Sequence, residues 1–543
     1  MYNVATMYIT RTKKIVGDKE YRSVLLVKSV RIDGKPRHET ILNLSQWSDE
    51  QVDALAFALK GKKGDAGIGT LDEVTATTDK GIGGVLVVAH LAKKLGITEA
   101  LGTTKEARLA MALIAGRLLT QGSPLKLCEW QKMNELEACL DVPHFSEDDL
   151  YSTLDWLSKN QAKIEARLFK KRYADSDKKP GLFLYDITSS YLEGVDNELG
   201  KYGYNRDGKK GKQQIVIGLL TDQQGVPVSI EVFEGNRSDN TTVMAQVEKM
   251  AKRFGVTELV LVGDKGMIKR TQIQTFKENT HYITSITNAQ IKTLIARDVI
   301  QLSLFENELV EVEDNGVRYI LRKNPIRATE IQHSRQSRID TIQAEIEKAN
   351  SYLGAHSRAN ASLQKEKLIK KLRRFHLHEF AEITLEARVL TLEIDTQKQD
   401  ELAKHDGCYV LKTDTTQESL SKEAVHARYK DLAKVESAFR TIKTGMLEIR
   451  PVYVRKESRT RGHVLVTMLA YMITQSFWEA IKPLQLTAAN AWAYVSQLQT
   501  IRLSVPKANI PPVKKIQTPT PVCAAIFSAL NLKVPNLSFT PVV

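Results

Sequence analysis

The sequence predicts an α/β protein of several domains, on three observations. At 543 residues the chain is long enough for roughly three to four domains of about 150 residues each. Hydrophobic residues make up 42% and charged residues 26%, with only 15 Pro and 30 Gly, which excludes disordered, collagen-like and low-complexity classes and fits a folded, soluble chain. Apolar runs of strand length cluster between Leu182 and Ile286, and the stretches on either side carry helical spacing.

Residues 1–65 alternate apolar and polar side chains over Tyr21–Val30 and His38–Leu44, with Asp33-Gly34 between them as a hairpin turn, so a small β-rich module opens the chain. Residues 66–178 read as a helical domain. Val88, Leu91 and Leu95 form one stripe and Ala107–Leu119 another, punctuated by Gly96, Gly102, Gly122 and Pro124. Short helices joined by tight turns suit a DNA-binding domain of the helix-turn-helix kind, and equally any helical bundle. The turn chemistry of Asp177–Gly181 then marks a boundary.

Within 179–290 the β-type runs are Leu182–Ile187, Ile215–Leu220, Val226–Phe233, Leu259–Val262 and Tyr282–Ile286. Asp222–Gly225 turns the second into the third, and a helical stretch, Asn240–Phe254, precedes the fourth. Three antiparallel strands, a helix and a further strand are the opening order of a ribonuclease H-like core, by an analogy that other α/β folds share. Residues 291–415 differ in composition and read as an insertion domain: short strands at Leu302–Val312 and Tyr319–Arg322, a long polar helix over 330–374, and strands at Ala387–Ile394 and Cys408–Thr413. His333–Phe375 holds ten Lys or Arg against four Asp or Glu, for contact with DNA or for an antiparallel helix pair. Residues 416–485 bring a last helical block, Lys422–Ile481, interrupted near Arg450-Pro451, which completes the core. The 486–543 region has little periodicity after Val505 and is open to a role in dimerisation.

Lys plus Arg total 78 against 64 Asp plus Glu, a net charge of +14, which favours a polyanionic partner and by charge alone also fits ribosomal or membrane-surface binding. The four cysteines, Cys128, Cys139, Cys408 and Cys523, include no C-x-x-C pair, so neither a disulfide framework nor a cysteine zinc site is expected and a reducing cytoplasm fits. The first residues lack the apolar core of a signal peptide, and Val464–Trp478 is too short to span a bilayer. No membrane role is expected.

Asp186 follows the apolar run Leu182–Tyr185, and Asp264 follows Leu259–Gly263. A carboxylate at the end of a buried strand needs a helix N-terminus, an Arg or a metal ion beside it, because an isolated buried charge costs several kcal/mol. One such Asp is more often a turn or cap residue; two on neighbouring strands point toward a metal site. Tyr429, Glu436 and Lys443 are spaced by seven and seven, nearly two turns each, which puts a ring, a carboxylate and an ammonium on one helix face. A solvated surface helix carries the same pattern.

Leu184–Tyr191, Gly203–Asp207 with Gln213-Gln214, Glu234–Asp239, Val262–Met267, Tyr319–Pro325 and Tyr429–His463 together resemble the DDE transposases of bacterial insertion sequences, weakly before residue 180 and strongly after it. The branch is the one marked by Tyr, two residues, Arg, three residues, Glu, six residues, Lys. Here Tyr429, Glu436 and Lys443 match and Leu432 stands at the Arg position, with Arg440 one turn after Glu436 as a possible substitute. The separations, 78 residues from Asp186 to Asp264 and 172 from Asp264 to Glu436, agree with that branch's insertion before the catalytic Glu.

The resemblance implies that Asp186 bridges two Mg2+ ions, replaceable by Mn2+, and that Asp264 and Glu436 each hold one, for cleavage and strand transfer of double-stranded DNA at terminal inverted repeats and target. It implies a homodimer in the synaptic complex and work at the bacterial nucleoid. Lys443 is the first choice for a phosphate contact, with Tyr429, Arg440, Lys209, Lys210, Lys212, Lys265 and Arg450 along the same track. Some members flip a base onto a Trp in the insertion, and no Trp occurs between 287 and 428. Gly194–Lys201 has one residue too many for a P-loop and Gly81–Gly84 lacks the third glycine of a dinucleotide fingerprint, so no nucleotide cofactor is expected. His376-Leu377-His378-Glu379 reads as a surface segment. The alternatives are a transposase-derived DNA-binding regulator without catalysis and a nuclease without strand transfer.

Overall fold

The computed structural model describes residues 7–16, 19–32, 35–60, 75–174, 181–256, 258–276, 279–306, 308–443, 447–450, 452–504 and 513–534. The chain forms two compact units: Met1–His90 with Glu129–Asp141 and Trp478–Val543, and Leu91–Cys128 with Val142–Phe477.

In the first unit β1 (Met7–Val16), β2 (Lys19–Ile32) and β3 (Lys35–Asn43) form an antiparallel meander, and α1 (Asp49–Lys60) covers one face of it. Alternation puts Val24 and Leu26 inward, where they meet Leu44, Val52 and Leu55. The expected hairpin residues Asp33-Gly34 lie outside the described residues, although Ile32 and Lys35 on either side are paired. A second sheet joins the two ends of the chain: β4 (Thr75–Gly81) pairs with a strand at Gln499–Ser504, itself paired with one at Val513–Ile516. The tail that shows no periodicity is thus built into a sheet whose partner is more than 400 residues away. Gly83 follows β4 in close approach to the same region, since a Cβ there would sit 2.1 Å from the Val495 carbonyl oxygen.

The helices α2 (Gly83–Lys94), α3 (Ile97–Leu101), α4 (Lys105–Leu119), α5 (Pro124–Trp130), α6 (Leu136–Leu140) and α7 (Glu147–Arg172) follow. Thr104 caps α4, and Ser146 with Asp149 forms a capping box on α7. The helical region expected over 66–178 is not one body: 129–141 belongs to the first unit, while 91–128 and 142–178 belong to the second. The reason is visible in α7. Its buried Glu165 accepts hydrogen bonds from Ser229 and from the Ile230 N–H of the central sheet, and Phe169 stacks with Phe183 and Phe254 beneath that sheet. The turn at Asp177–Lys179 and Pro180 lies outside the described residues.

The central sheet holds β5 (Leu182–Tyr191), β6 (Gln214–Asp222), β7 (Pro227–Glu234), β8 (Leu259–Val262), β9 (Thr280–Ser285), β10 (Val310–Asp314), β11 (Val317–Lys323) and a strand at Cys408–Thr413. β5, β6 and β7 are antiparallel, and β8 and β9 run parallel to β5 on its other side. That order is consistent with a ribonuclease H-like core. Asp222 makes the β6–β7 turn by accepting the N–H groups of Gln224 and Val226. The connection from β7 to β8 carries α8 (Asn240–Lys249), and α9 (Arg270–Ile273) and α10 (Asn288–Ala296) flank β9.

The range 291–415 does not part from the core as one insertion. Its strands β10, β11 and Cys408–Thr413 extend the central sheet from the β9 edge, because backbone groups at an open edge find partners most cheaply in another strand. Only the middle is a separate layer: α11 (Pro325–Ala355), α12 (Ala361–Arg374), the hairpin β12 (Ala381–Glu386) and β13 (Val389–Ile394), and α13 (Thr396–Ala403). The single polar helix expected over 330–374 is two, with Asn360 capping the second. They run antiparallel, with Arg338 reaching the Phe375 carbonyl and Lys371 paired with Glu345. Ile339, Ile342, Ile346, Leu368 and Leu372 make their shared core with Ile383 and Leu390.

After β14 (Cys408–Thr413) come α14 (Lys422–Lys430), α15 (Leu432–Lys443) and α16 (Glu457–Ile481), then α17 (Ala488–Ser496), β15 (Gln499–Ser504), β16 (Val513–Ile516) and α18 (Pro521–Ala529). The stretch from Glu457 to Leu484 is long and apolar enough to cross a membrane by length and composition, and 72% of its most apolar window is buried within the fold.

Candidate active site

Every residue of β5 is buried except Asp186 and the terminal Tyr191, which are half-buried. The parallel register pairs Leu184 with Val262, so Asp186 and Asp264, each two residues further on, lie at the same level. Asp264 is just past the end of β8, and Asp186 is within β5 rather than at its end, because β5 continues to Tyr191 in antiparallel pairing with β6. α15 supplies the third acid. Its apolar side, Val435, Ala438, Phe439 and Ile442, is buried and packs on β5, while Glu436 stays exposed.

The Asp186 carboxyl is pushed up to about 7, first by burial and then by the charges of Glu436 and Asp264. The Ile187 N–H, which donates to Oδ1 at 2.8 Å, and the Arg206 guanidinium pull the other way. Acids 78 and 250 residues further along the chain thus contribute to the upward shift of Asp186. Among the described residues, no group of three or more His, Cys, Asp or Glu side chains is arranged to hold a metal ion. The donor set nonetheless suits Mg2+, a hard cation that takes only one or two carboxylates and keeps several waters. Mutual repulsion of carboxylates in a half-buried site is also what a divalent cation relieves.

Tyr429 and Glu436 do not share one continuous helix face. The block breaks at Asp431, so Tyr429 lies in the last turn of α14 and Glu436 and Lys443 lie on α15. Asp431 caps the junction with its backbone, donating to Ala427 and accepting from Lys434, and its carboxylate pairs with Arg428 and Lys434. Tyr429 still reaches the site. Its hydroxyl donates to Ser285 Oγ at 2.8 Å, and burial together with Asp264 and Glu436 pushes the phenol up to about 12.

Two of the expected phosphate contacts are paired inside the protein. Lys443 Nζ and Arg450 donate to Asp207 Oδ1 at 2.9 Å and 2.5 Å, and the Asp207 side chain is only 1% exposed. A buried carboxylate outcompetes solvent for these cations, so the two residues expected on the phosphate track are held by Asp207 in this structure. Lys212 pairs with Glu193 at 2.6 Å, and Lys209 lies 5.7 Å from the Tyr191 ring centroid. Lys210, Lys265 and Arg440 are exposed. Lys265 also orders the acid beside it, since its N–H donates to Asp264 Oδ1 at 2.7 Å. Leu432, at the place of the signature Arg, is buried, so no cation approaches from that position.

Arg206 and Asp207 were not singled out from the sequence. Arg206 N–H donates to Ser189 Oγ, and its guanidinium grips both oxygens of Asp239 at 2.8 and 2.7 Å while acting on Asp186. Their signal lay in the Gly203–Asp207 segment, where a turn-forming Asn205 precedes adjacent opposite charges on the connection out of β5.

Residues 177–473 match the transposase DDE domain, and residues 9–72 match the N-terminal domain of IS1634 family transposases. No curated protein matches the chain. Among solved structures it is similar to the piggyBac transposase, seen by cryo-electron microscopy as a synaptic complex with hairpin DNA, at 8% identity and a TM-score of 0.34 over 76% of each chain.

Proposed function

Since this chain belongs to the transposase DDE domain family, we propose that it is the transposase of an insertion sequence, which binds the terminal inverted repeats and carries out cut-and-paste strand cleavage and strand transfer with Mg2+ or Mn2+. Asp186, Asp264 and Glu436 would be the carboxylates that hold the divalent metal. Bound there, the metal supplies an activated oxygen nucleophile and compensates charge on the departing oxygen.

The observation that carries this reading is the parallel register of β5 and β8, which sets Asp186 and Asp264 at one level, with α15, the helix that bears Glu436, packed on β5. The protein's own share is to hold the acids in place. β5 and β8 set the two Asp side by side, Lys265 N–H orients Asp264, and Tyr429, donating to Ser285, closes the Asp264 side. Lys210, Lys265 and Arg440 present charge to the phosphate backbone. Two copies work in the complex, one for each transposon end, on the DNA of the bacterial nucleoid.

The test incubates purified chain with DNA carrying its own terminal repeats, with and without Mg2+. Joined products support the transposase, cut ends without joining a nuclease, and binding alone a regulator. Asp186→Ala, Asp264→Ala and Glu436→Ala should each lower cleavage by orders of magnitude and leave DNA binding largely intact; normal turnover in all three would overturn the assignment.

A further inference from the structure

We propose that Asp207 is a positioning residue that sets the helix carrying Glu436 against the strand carrying Asp186, a role that rests on the reading above. α15 meets β5 through an apolar side made of Val435, Ala438, Phe439 and Ile442. Apolar burial is strong but non-directional, so such a contact tolerates sliding and rotation by fractions of a turn. Holding two carboxylates at metal-binding spacing does not.

Asp207 supplies the missing direction. Its Oδ2 accepts the N–H of Tyr191 at 3.1 Å, the last residue of β5 and five beyond Asp186. Its Oδ1 accepts Lys443, the last residue of α15 and seven beyond Glu436, at 2.9 Å, and Arg450 at 2.5 Å. The Ile449 N–H returns to the Ile442 carbonyl at 3.0 Å, so the Arg450 arm is itself tied to α15. Asp207 is braced in turn, its N–H donating to Asn205 Oδ1 at 2.9 Å. Its side chain is 1% exposed, against 11% for Lys443 and 27% for Arg450. A carboxylate this enclosed holds its cations firmly, because releasing both would leave its charge buried without a partner. The result is a strut from strand to helix, fixed within two helical turns of one acid and five residues of the other.

The strut is tested in the full-length chain with Asp207→Asn, which keeps shape and removes charge, and with Lys443→Met and Arg450→Gln, which leave Asp207 one cation each. Mn2+ binding to the chain alone is read by electron paramagnetic resonance. Single-turnover cleavage of terminal-repeat DNA is read against Mg2+ concentration, DNA binding by anisotropy, and folding by thermal unfolding. Residues that orient metal ligands typically change metal affinity or activity by about 10–100-fold. D207N should therefore weaken Mn2+ binding and slow cleavage by about that factor, with cleavage partly restored at high Mg2+ and DNA affinity within about twofold. Joining D207N to K443M should add little, since both remove the same contact.

Wild-type Mn2+ affinity in D207N overturns the strut, and so does a cleavage defect with no shift in metal dependence. If D207N fails to fold, K443M and R450Q decide: weakened Mn2+ binding in both supports the strut and unchanged binding in both refutes it. A wild-type chain that binds Mn2+ but never cuts its own ends defeats the transposase reading instead, and the Mn2+ comparison still judges the strut.

Discussion

Replacing Asp186 by Asn should change how stability depends on pH, by an amount that follows from the site itself. Its carboxyl is raised from 3.8 to about 7 in the folded chain. The raised value means that the folded state holds the proton more tightly than the unfolded state. The associated stability is complete below about pH 4 and disappears as pH rises through 7. With each pKa unit worth about 1.4 kcal/mol, the whole window amounts to roughly 4 kcal/mol, of which about 2–3 falls between pH 5 and pH 8. D186N cannot ionise and has no such slope. Chemical unfolding of both proteins in chelator at pH 5, 6, 7 and 8 should show the wild type losing that extra stability relative to D186N. Adding Mn2+ at pH 8 should return stability to the wild type and not to the variant, because the ion binds the carboxylate and relieves the repulsion from Asp264 and Glu436. Parallel pH curves for the two proteins would refute the claim that Asp186 is a half-buried acid under pressure from two others.

Other outcomes follow from single contacts. Lys210→Ala and Lys265→Ala should each weaken DNA binding and lower the slope of log affinity against log salt by about one, measured by anisotropy from low to high KCl; an unchanged slope removes that lysine from the phosphate track. Glu165→Ala should cost about 3–5 kcal/mol in urea unfolding, since it strands Arg253 and frees the N–H of Ile230 and the hydroxyl of Ser229. Gly83→Ala should loosen the unit that contains β15, because its methyl meets a backbone oxygen at 2.1 Å and a Leu498 carbon at 2.8 Å; faster limited proteolysis near the C-terminus would register it.

Much of the fold was legible where the signal is local. The five runs between Leu182 and Ile286 reappear as β5 to β9, with β8 unchanged, β6, β7 and β9 shifted by one or two residues at their ends and β5 extended by four residues to Tyr191, because alternation and apolar length are properties of neighbouring residues. Long-range partners left less trace. Nothing in Gln499–Ser504 announces pairing with Thr75–Gly81, and the short strands of 291–415 carry no mark of joining the central sheet. The break at Asp431 escaped the seven-residue spacing, since a one-residue kink leaves the helical period on either side unchanged.

The amino-acid sequence by itself determined the order of elements, the excess of positive charge and the candidate acids: an aspartate within one apolar strand, another just past a second strand, and a glutamate on a late helix. Tertiary structure alone decided which charges remain available. Lys443 and Arg450 look like their exposed neighbours in sequence, yet a carboxylate some 240 residues away has claimed both. Local patterns report how a segment buries itself, whereas ion pairing depends on which distant segments burial brings into one low-dielectric pocket, and no stretch of chain encodes that alone.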